Sequence, residues 1–256
     1  MLPSLFIAHG TPLLVLETGG YAKVLTELSS QFERPRGIVI ISSHWEYAAQ
    51  TITAVEQFEL FHDFNGFPKE LYENKYPARG DLELTKRVKA LFDEHGIYNT
   101  IDYTRKLDSS CYIPLQKMYP EADIPVVMLS INTHMVLKKQ YEIGQALEPL
   151  REEGILIIGS GGTVHNPELL DFGAKEPKDW SVEFDDWLVE RVADWNLDDL
   201  FEYVSKAPHA KKAAPRNEHI IPLLIAMGAA DKHPVAKVLH RDYRFGSLSR
   251  IIWQFG

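Results

Sequence analysis

The sequence contains one cysteine, Cys111, among 256 residues, so no disulfide can form within the chain. No window approaches 18 consecutive apolar residues, which is about the minimum for a membrane-spanning helix, and we expect no such helix. The N-terminus shows no basic stretch followed by a long apolar run, so no signal peptide is predicted. Together these absences favour a cytoplasmic protein in a reducing compartment.

Basic residues are also scarce. The chain has 27 Lys and Arg against 36 Asp and Glu, a formal net charge of −9. A nucleic-acid partner, which requires a basic face, is therefore not expected. Hydrophobic residues make up 45% and charged residues 25%, as is usual for a globular protein. A chain of this length can bury a sizeable core, and without linkers or repeats we expect one domain, residues 1–256.

Short apolar runs punctuate the chain and predict buried strands. They read "SLFIAHG", "GIVIISSHW", "IPVVMLSIN" and "GILIIGSGG". Near-continuous runs of this kind are typical of a parallel sheet that is covered on both faces. Amphipathic helical patterns lie between them, and two further strands are expected around a turn near Gly246. The alternation predicts an α/β fold, with a mostly parallel central sheet flanked by helices.

Four of the ten histidines stand at predicted element boundaries. His9 and His44 end the first two strands, His165 follows the fourth, and His219 begins a helix. Ligands of open α/β sheets bind at the carboxyl ends of the strands, and imidazole suits zinc, iron, copper and nickel. The pattern therefore predicts a metal site at this edge. A strand-end histidine can also be a satisfied surface or capping residue, and the wide spacing forms no short metal motif.

Several longer motifs give the chain a family resemblance. In chain order they are "AHGTP", "SSHW", "HDFNGFP" with "YPARG", "MYPEADIPVVMLSI", "GSGGTVHN", "EHIIPLL" and "GSLS". They extend from residue 8 to residue 249. With these motifs the sequence resembles the class III extradiol ring-cleaving dioxygenases, the LigB superfamily, and most closely its 4,5-DOPA extradiol dioxygenase branch.

The resemblance implies a single-domain α/β fold with one divalent metal ion, Zn²⁺ or Fe²⁺. By motif, His9, His44 and His219 correspond to metal ligands, and His165 to an active-site histidine that is either a fourth ligand or the acid/base. The implied reaction inserts both atoms of O₂ beside one hydroxyl of a catechol and opens the ring. It needs Fe²⁺, because zinc cannot pass electrons from a catecholate to O₂.

A small aromatic diol needs an apolar pocket, and the resemblance directs attention to the loop "LFHDFNGFP". We expect this loop to cover the site, with His62, Phe64, Ser109 and Tyr112 contacting the substrate. Aromatic side chains are common in the walls of small-molecule sites, although those of the loop could also be ordinary core. No membrane or nucleic-acid partner is implied.

The segment "RKLDSSCYIPL" departs from the family pattern. The family has Asp-His-Gly where this chain has Asp108, Ser109 and Ser110. Serine is shorter than histidine and does not titrate near pH 7. We expect Ser109 to face the metal without binding it, and Asp108 to cap a helix beginning near Tyr112 or to orient a neighbour. Weak activity on a plain DOPA-like catechol is the expected consequence.

Two other functions stay open on the sequence alone. Zinc held by imidazoles could activate water for hydrolysis of an amide or ester. Alternatively, the chain could be a metal-binding or catechol-binding relative whose activity has eroded at Ser109. Cys111 as a ligand or nucleophile is a further alternative to a small buried hydrophobic residue.

Overall fold

The computed structural model describes all residues, 1–256. The strands are β1 Ser4–Ala8, β2 Gly37–Glu46, β3 Gln50–Thr53, β4 Leu60–Phe61, β5 Asn99–Asp102, β6 Leu107–Asp108, β7 Val126–Ile131, β8 Ile155–Gly161, β9 Ala236–Arg244 and β10 Leu248–Phe255. The α-helices are α1 Tyr21–Leu28, α2 Lys69–Tyr72, α3 Leu82–Glu94, α4 Ser109–Met118, α5 Leu137–Leu147, α6 Pro149–Glu152, α7 Asp179–Ala193, α8 Leu197–Phe201, α9 Tyr203–Lys206, α10 Ala210–Ala213 and α11 Ile221–Gly228. Short 3₁₀ turns cover Pro12–Leu16 and Pro167–Leu169.

Eight strands form the central sheet in the order β5-β3-β7-β2-β8-β1-β10-β9. The four central strands β7, β2, β8 and β1 are parallel, as the apolar runs predict. The edges are mixed, because β10 runs antiparallel to β1 and to β9, and β3 runs antiparallel to β7. The turn at Gly246, which has a φ of 74°, is too short for a parallel crossover and dictates the antiparallel pair.

Helices cover both faces of the sheet and complete the predicted single-domain α/β fold. All residues of β1, β7 and β8 are buried, which explains their unbroken apolar composition. Helices α1 and α4 contribute to the core on one face, and α3, α5 and α11 to clusters on the other. Helix α11 packs very closely on β8, since a Cβ atom at Gly159 would lie 2.1 Å from the Pro222 carbonyl oxygen. No helix combines the length and the apolar character needed to cross a bilayer.

Two helix boundaries differ from the sequence pattern. The helical pattern of residues 138–154 is divided into α5 and α6, because Pro149 cannot continue the hydrogen bonding of a helix interior. Helix α4 begins at Ser109, not near Tyr112 as predicted. Residues 109–111 therefore form the first turn of a buried helix.

Candidate metal centre

Three of the four boundary histidines converge at one edge of the sheet. Ligand nitrogens of His9, His44 and His219 lie within 4.8 Å of one another. The ring centroids are 4.8 Å apart for His9 and His44, 5.3 Å for His9 and His219, and 5.4 Å for His44 and His219. Three imidazoles at such distances can share a single metal ion.

The topology of the sheet explains this convergence. Strands β1 and β2 flank β8 and run parallel to it, so their carboxyl ends meet. His219 arrives from the segment before α11 and is held at the end of β8. The Gly162 N–H donates to the His219 carbonyl oxygen at 3.0 Å, and a Cβ atom at Gly161 would lie 2.1 Å from that oxygen. A side chain at Gly161 would therefore displace His219.

Each of the three imidazoles is oriented through its Nδ1 atom. His44 donates to Asp63 at 2.7 Å, His219 to Glu218 at 3.0 Å, and His9 to the Gly10 carbonyl oxygen at 3.1 Å. With Nδ1 protonated, the lone pair of a neutral imidazole is on Nε2. Metal-binding histidines are commonly held this way, by a carboxylate or carbonyl on the other ring nitrogen.

The Nε2 atoms provide the clearest indication of a metal ion. His219 Nε2 is buried and has no hydrogen-bond partner in the protein, and His9 Nε2 has only a 3.4 Å contact with the Ser43 hydroxyl. A buried polar atom without a partner is costly, and a cation at the centre of the three rings would satisfy it. The donor set of neutral imidazoles therefore fits a divalent transition metal.

Electrostatics favour the neutral, metal-binding form of two rings. Burial, followed by repulsion from neighbouring histidines, places the pKa of His9 and of His219 well below the usual range. Burial also lowers the pKa of His44, but the hydrogen bond to Asp63 and nearby carboxylates outweigh it, and the net change is upward. A proton will therefore compete with metal chiefly at His44.

His165 occupies a different place from the other three histidines. Its ring stacks on His219 with centroids 3.6 Å apart and 15° between the planes, and it is 6.3 Å from His9. Burial and then repulsion from His44 lower the pKa of His165 to about 4. Asn166 does not hold it, because that side chain donates to the Lys212 carbonyl oxygen. His165 thus lies beside the three-histidine cluster as a neutral ring.

The aromatic loop, residues 60–68, reaches the centre through Asp63. His62 Nδ1 lies 3.0 Å from the Tyr112 hydroxyl, and the Phe64 ring centroid is 5.7 Å from that of His62. His62 and Phe64 are only partly buried, so they are not ordinary core residues. The loop therefore contacts the metal centre through Asp63 and carries two partly buried rings on either side of that residue.

Asp108 is fully buried at the start of α4 but does not bond to the helix backbone. Its carboxylate accepts hydrogen bonds from Ser42 and Ser110 at 2.7 Å and from Arg105 at 3.0 Å. The predicted side-chain cap is thus absent, because these stronger buried partners occupy the carboxylate. The role of orienting neighbours is the one the structure supports, since the Ser42 hydroxyl also accepts from the His44 N–H.

Ser109 lies in the first turn of α4 and is 3% exposed. Its N–H donates to Asp63 Oδ1 at 3.2 Å. Cys111 is fully buried in the core, and burial raises the pKa of its thiol well above the usual range. A thiol of that kind is a poor nucleophile and a poor ligand at neutral pH.

Sequence reasoning missed two carboxylates that orient the cluster, Asp63 and Glu218. Both are chain neighbours of predicted residues, since Asp63 follows His62 and Glu218 precedes His219. The signal that could have found them is the pairing of imidazole with carboxylate that metal centres use.

Comparison with known proteins finds relatives that match this chain over its whole length. Residues 4–256 match the family model described as the catalytic LigB subunit of aromatic ring-opening dioxygenase. A 4,5-DOPA dioxygenase extradiol of Beta vulgaris is 36% identical over 98% of this chain and 95% of its own length. The protein of that name in Escherichia coli K12 is 33% identical over 100% and 95%. The crystal structure of an uncharacterized protein of Escherichia coli K12, JW3007, has a TM-score of 0.86 at 30% identity, with both chains covered completely.

Proposed function

Because the chain belongs to the LigB family of aromatic ring-opening dioxygenases, we propose that it opens the ring of a DOPA-like catechol with O₂ at one divalent metal ion. Residues 1–256 would form a single catalytic domain. The convergence of His9, His44 and His219, with the unpartnered Nε2 of His219 buried among them, is the observation that carries the proposal. The relatives compared above are named dioxygenases, so neither the zinc hydrolase nor the eroded relative is favoured.

The three Nε2 atoms are the proposed ligands of the metal, as neutral donors in a buried site. When bound, Fe²⁺ would supply a cation that both catechol oxygens can chelate and a path for electrons from the catecholate to O₂, whereas Zn²⁺ would support binding alone. We place His165 next to this set as the proton-transfer group, because it stacks on His219 and stands apart from the other two ligands. A fourth-ligand role for His165 is the alternative.

His165 supports proton transfer through its environment. The lowered pKa, about 4, leaves the ring unprotonated at neutral pH, so a ring nitrogen is free to accept a hydrogen bond from a catechol hydroxyl and to take its proton once a bound metal has made that hydroxyl more acidic. Its ring is partly buried against His219, which limits its contact with bulk water. A positioned acid/base of this type contributes about 10²–10⁴-fold to a rate.

The aromatic loop and the first turns of α4 supply the proposed substrate wall. His62 and Tyr112 are joined by a 3.0 Å hydrogen bond, and Phe64 packs beside them. The partly buried rings of His62 and Phe64 offer stacking surface to a planar ring, whereas Tyr112 is fully buried and supports His62 from behind through its hydroxyl. Ser109 would leave a short hydroxyl where the family pattern has a histidine.

The test is direct. Protein prepared without oxygen and loaded with Fe²⁺ is mixed with DOPA, and the yellow ring-opened product and oxygen uptake are followed together. We expect equal stoichiometry of product and oxygen with Fe²⁺ and no turnover with Zn²⁺. His165→Gln should retain metal and lose about 10²–10⁴-fold in kcat, whereas His233→Gln, which alters an exposed histidine, should match the wild type. Metal binding without oxygen uptake on any catechol would refute the proposal.

A further inference from the structure

The Asp63 carboxylate joins two elements that otherwise belong to different parts of the chain. Oδ2 accepts from His44 Nδ1 on β2 at 2.7 Å, and Oδ1 accepts from the Ser109 N–H at the start of α4 at 3.2 Å. Asp63 itself lies in the aromatic loop, and its side chain is only 13% exposed. One buried carboxylate thus connects the loop, a proposed metal ligand and the first turn of α4.

We propose that Asp63 is a positioning residue that couples metal binding at His44 to the ordering of the aromatic loop, residues 60–68. This inference rests on the proposed metal site. It adds that the loop carrying His62 and Phe64 is held against the centre by the same hydrogen bond that aims His44 at the metal. The substrate wall is therefore assembled most completely when metal is bound.

The physical reason is that binding at one nitrogen of the His44 ring changes the hydrogen bond at the other nitrogen. A cation on His44 Nε2 polarises the ring and strengthens the Nδ1–H bond to the Asp63 carboxylate. Any free energy that the carboxylate adds to metal binding must equal the free energy that metal adds to loop docking. The coupling needs no movement of β2, because His44 lies in the central sheet and the other side of the hydrogen bond lies on a connecting loop.

The site also contains a matched comparison. Glu218 makes the same contact with His219 that Asp63 makes with His44, a carboxylate on Nδ1. Glu218 is the chain neighbour of His219, so its contact joins no distant element. Loss of Glu218 should weaken metal binding and leave the aromatic loop unaffected, whereas loss of Asp63 should change both.

If Asp63 had only a structural role, its replacement would lower the melting temperature of the metal-free protein markedly. Both oxygens of its carboxylate accept a hydrogen bond, one from His44 Nδ1 and one from the Ser109 N–H. The isosteric amide keeps one oxygen that can accept from the Ser109 N–H, and its NH₂ group can donate to His44 Nδ1 when the neutral ring carries its proton on Nε2. The metal-free Asp63→Asn protein should therefore melt within a few degrees of the wild type.

The experiment measures Zn²⁺ affinity by competition with a chelator and amide hydrogen exchange of residues 60–68 with and without Zn²⁺. In the wild type, Zn²⁺ should slow exchange in the loop. Asp63→Asn should bind Zn²⁺ about 10–100-fold more weakly and show no such slowing even at saturating metal. Glu218→Gln should lose affinity but keep the slowing, and the exposed Asp171→Asn should behave as the wild type.

A second variant protects the test against a folding defect. His44→Asn keeps an N–H near the Nδ1 position but offers no Nε2, so Zn²⁺ should no longer slow loop exchange while the metal-free loop stays as ordered as in the wild type. Asp63→Asn with wild-type affinity and wild-type slowing would overturn the inference and leave the metal site standing. Absence of any Zn²⁺ binding by the wild type would instead overturn the proposed function.

Discussion

The stacked pair of His165 and His219 should make the free energy of unfolding of the metal-free protein fall at acidic pH. His165 has a pKa of about 4 in the folded chain against an ordinary value of 6.5, because of burial and then repulsion from His44. Between these values the unfolded chain binds a proton that the folded chain does not, so stability falls as the pH drops through the window. From neutral pH to pH 5 the loss is about 1.5 pH units at 1.36 kcal/mol each, or about 2 kcal/mol.

His165→Gln removes this contribution together with the repulsion that His165 exerts on His9 and His219. The free energy of unfolding is measured by denaturant titration of both metal-free proteins at pH 7.5 and at pH 5. We expect the wild type to lose about 2 kcal/mol more than the variant over that interval. His44 opposes the trend with its raised pKa, but it does so in both proteins. Equal losses in the two proteins would refute the assigned environment of His165.

Four further predictions concern metal binding, substrate and stability. His9→Ala or His44→Ala should abolish stoichiometric metal, and full occupancy by elemental analysis in either variant would contradict the ligand assignment. Tyr112→Phe removes the hydroxyl partner of the loop imidazole and should raise KM for the catechol about 2–10-fold with little change in kcat, as steady-state oxygen uptake would show. Ser109→His should raise kcat/KM for DOPA at least about tenfold, and an unchanged value in a folded, Fe²⁺-loaded variant would exclude this residue as the cause of weak activity. Ser110→Gly, added to Ser109→His, should lower the free energy of unfolding by about 1–3 kcal/mol, because the Ser110 hydroxyl donates to the fully buried carboxylate of Asp108. Denaturant titration measures this loss, and an unchanged value would show that the hydrogen bond is dispensable.

The centre of the fold could be predicted from the sequence because its strands are buried on both faces. β1, β7 and β8 are nearly continuous apolar runs, and that composition distinguishes them from the helices around them. The edges could not be predicted in the same way. β5 is four residues long and half-buried throughout, and β4 and β6 have two residues each, so no period exists to be recognised.

The residues of the metal centre also differ in whether the sequence alone could predict them. Positions at strand ends are a property of the chain, so His9 and His44 could be selected before any geometry was known. Partners across the site are not a local property: Asp63 is 19 residues from His44 and 46 from Ser109, and neither interval reflects a helical or strand period. The effect of having serine at position 109, where the family pattern has histidine, therefore depends on contacts that only the structure shows. Ser109 donates its backbone N–H to the carboxylate that orients His44, and any residue at this position keeps that bond, so we expect a change of the side chain to alter substrate binding more than metal affinity.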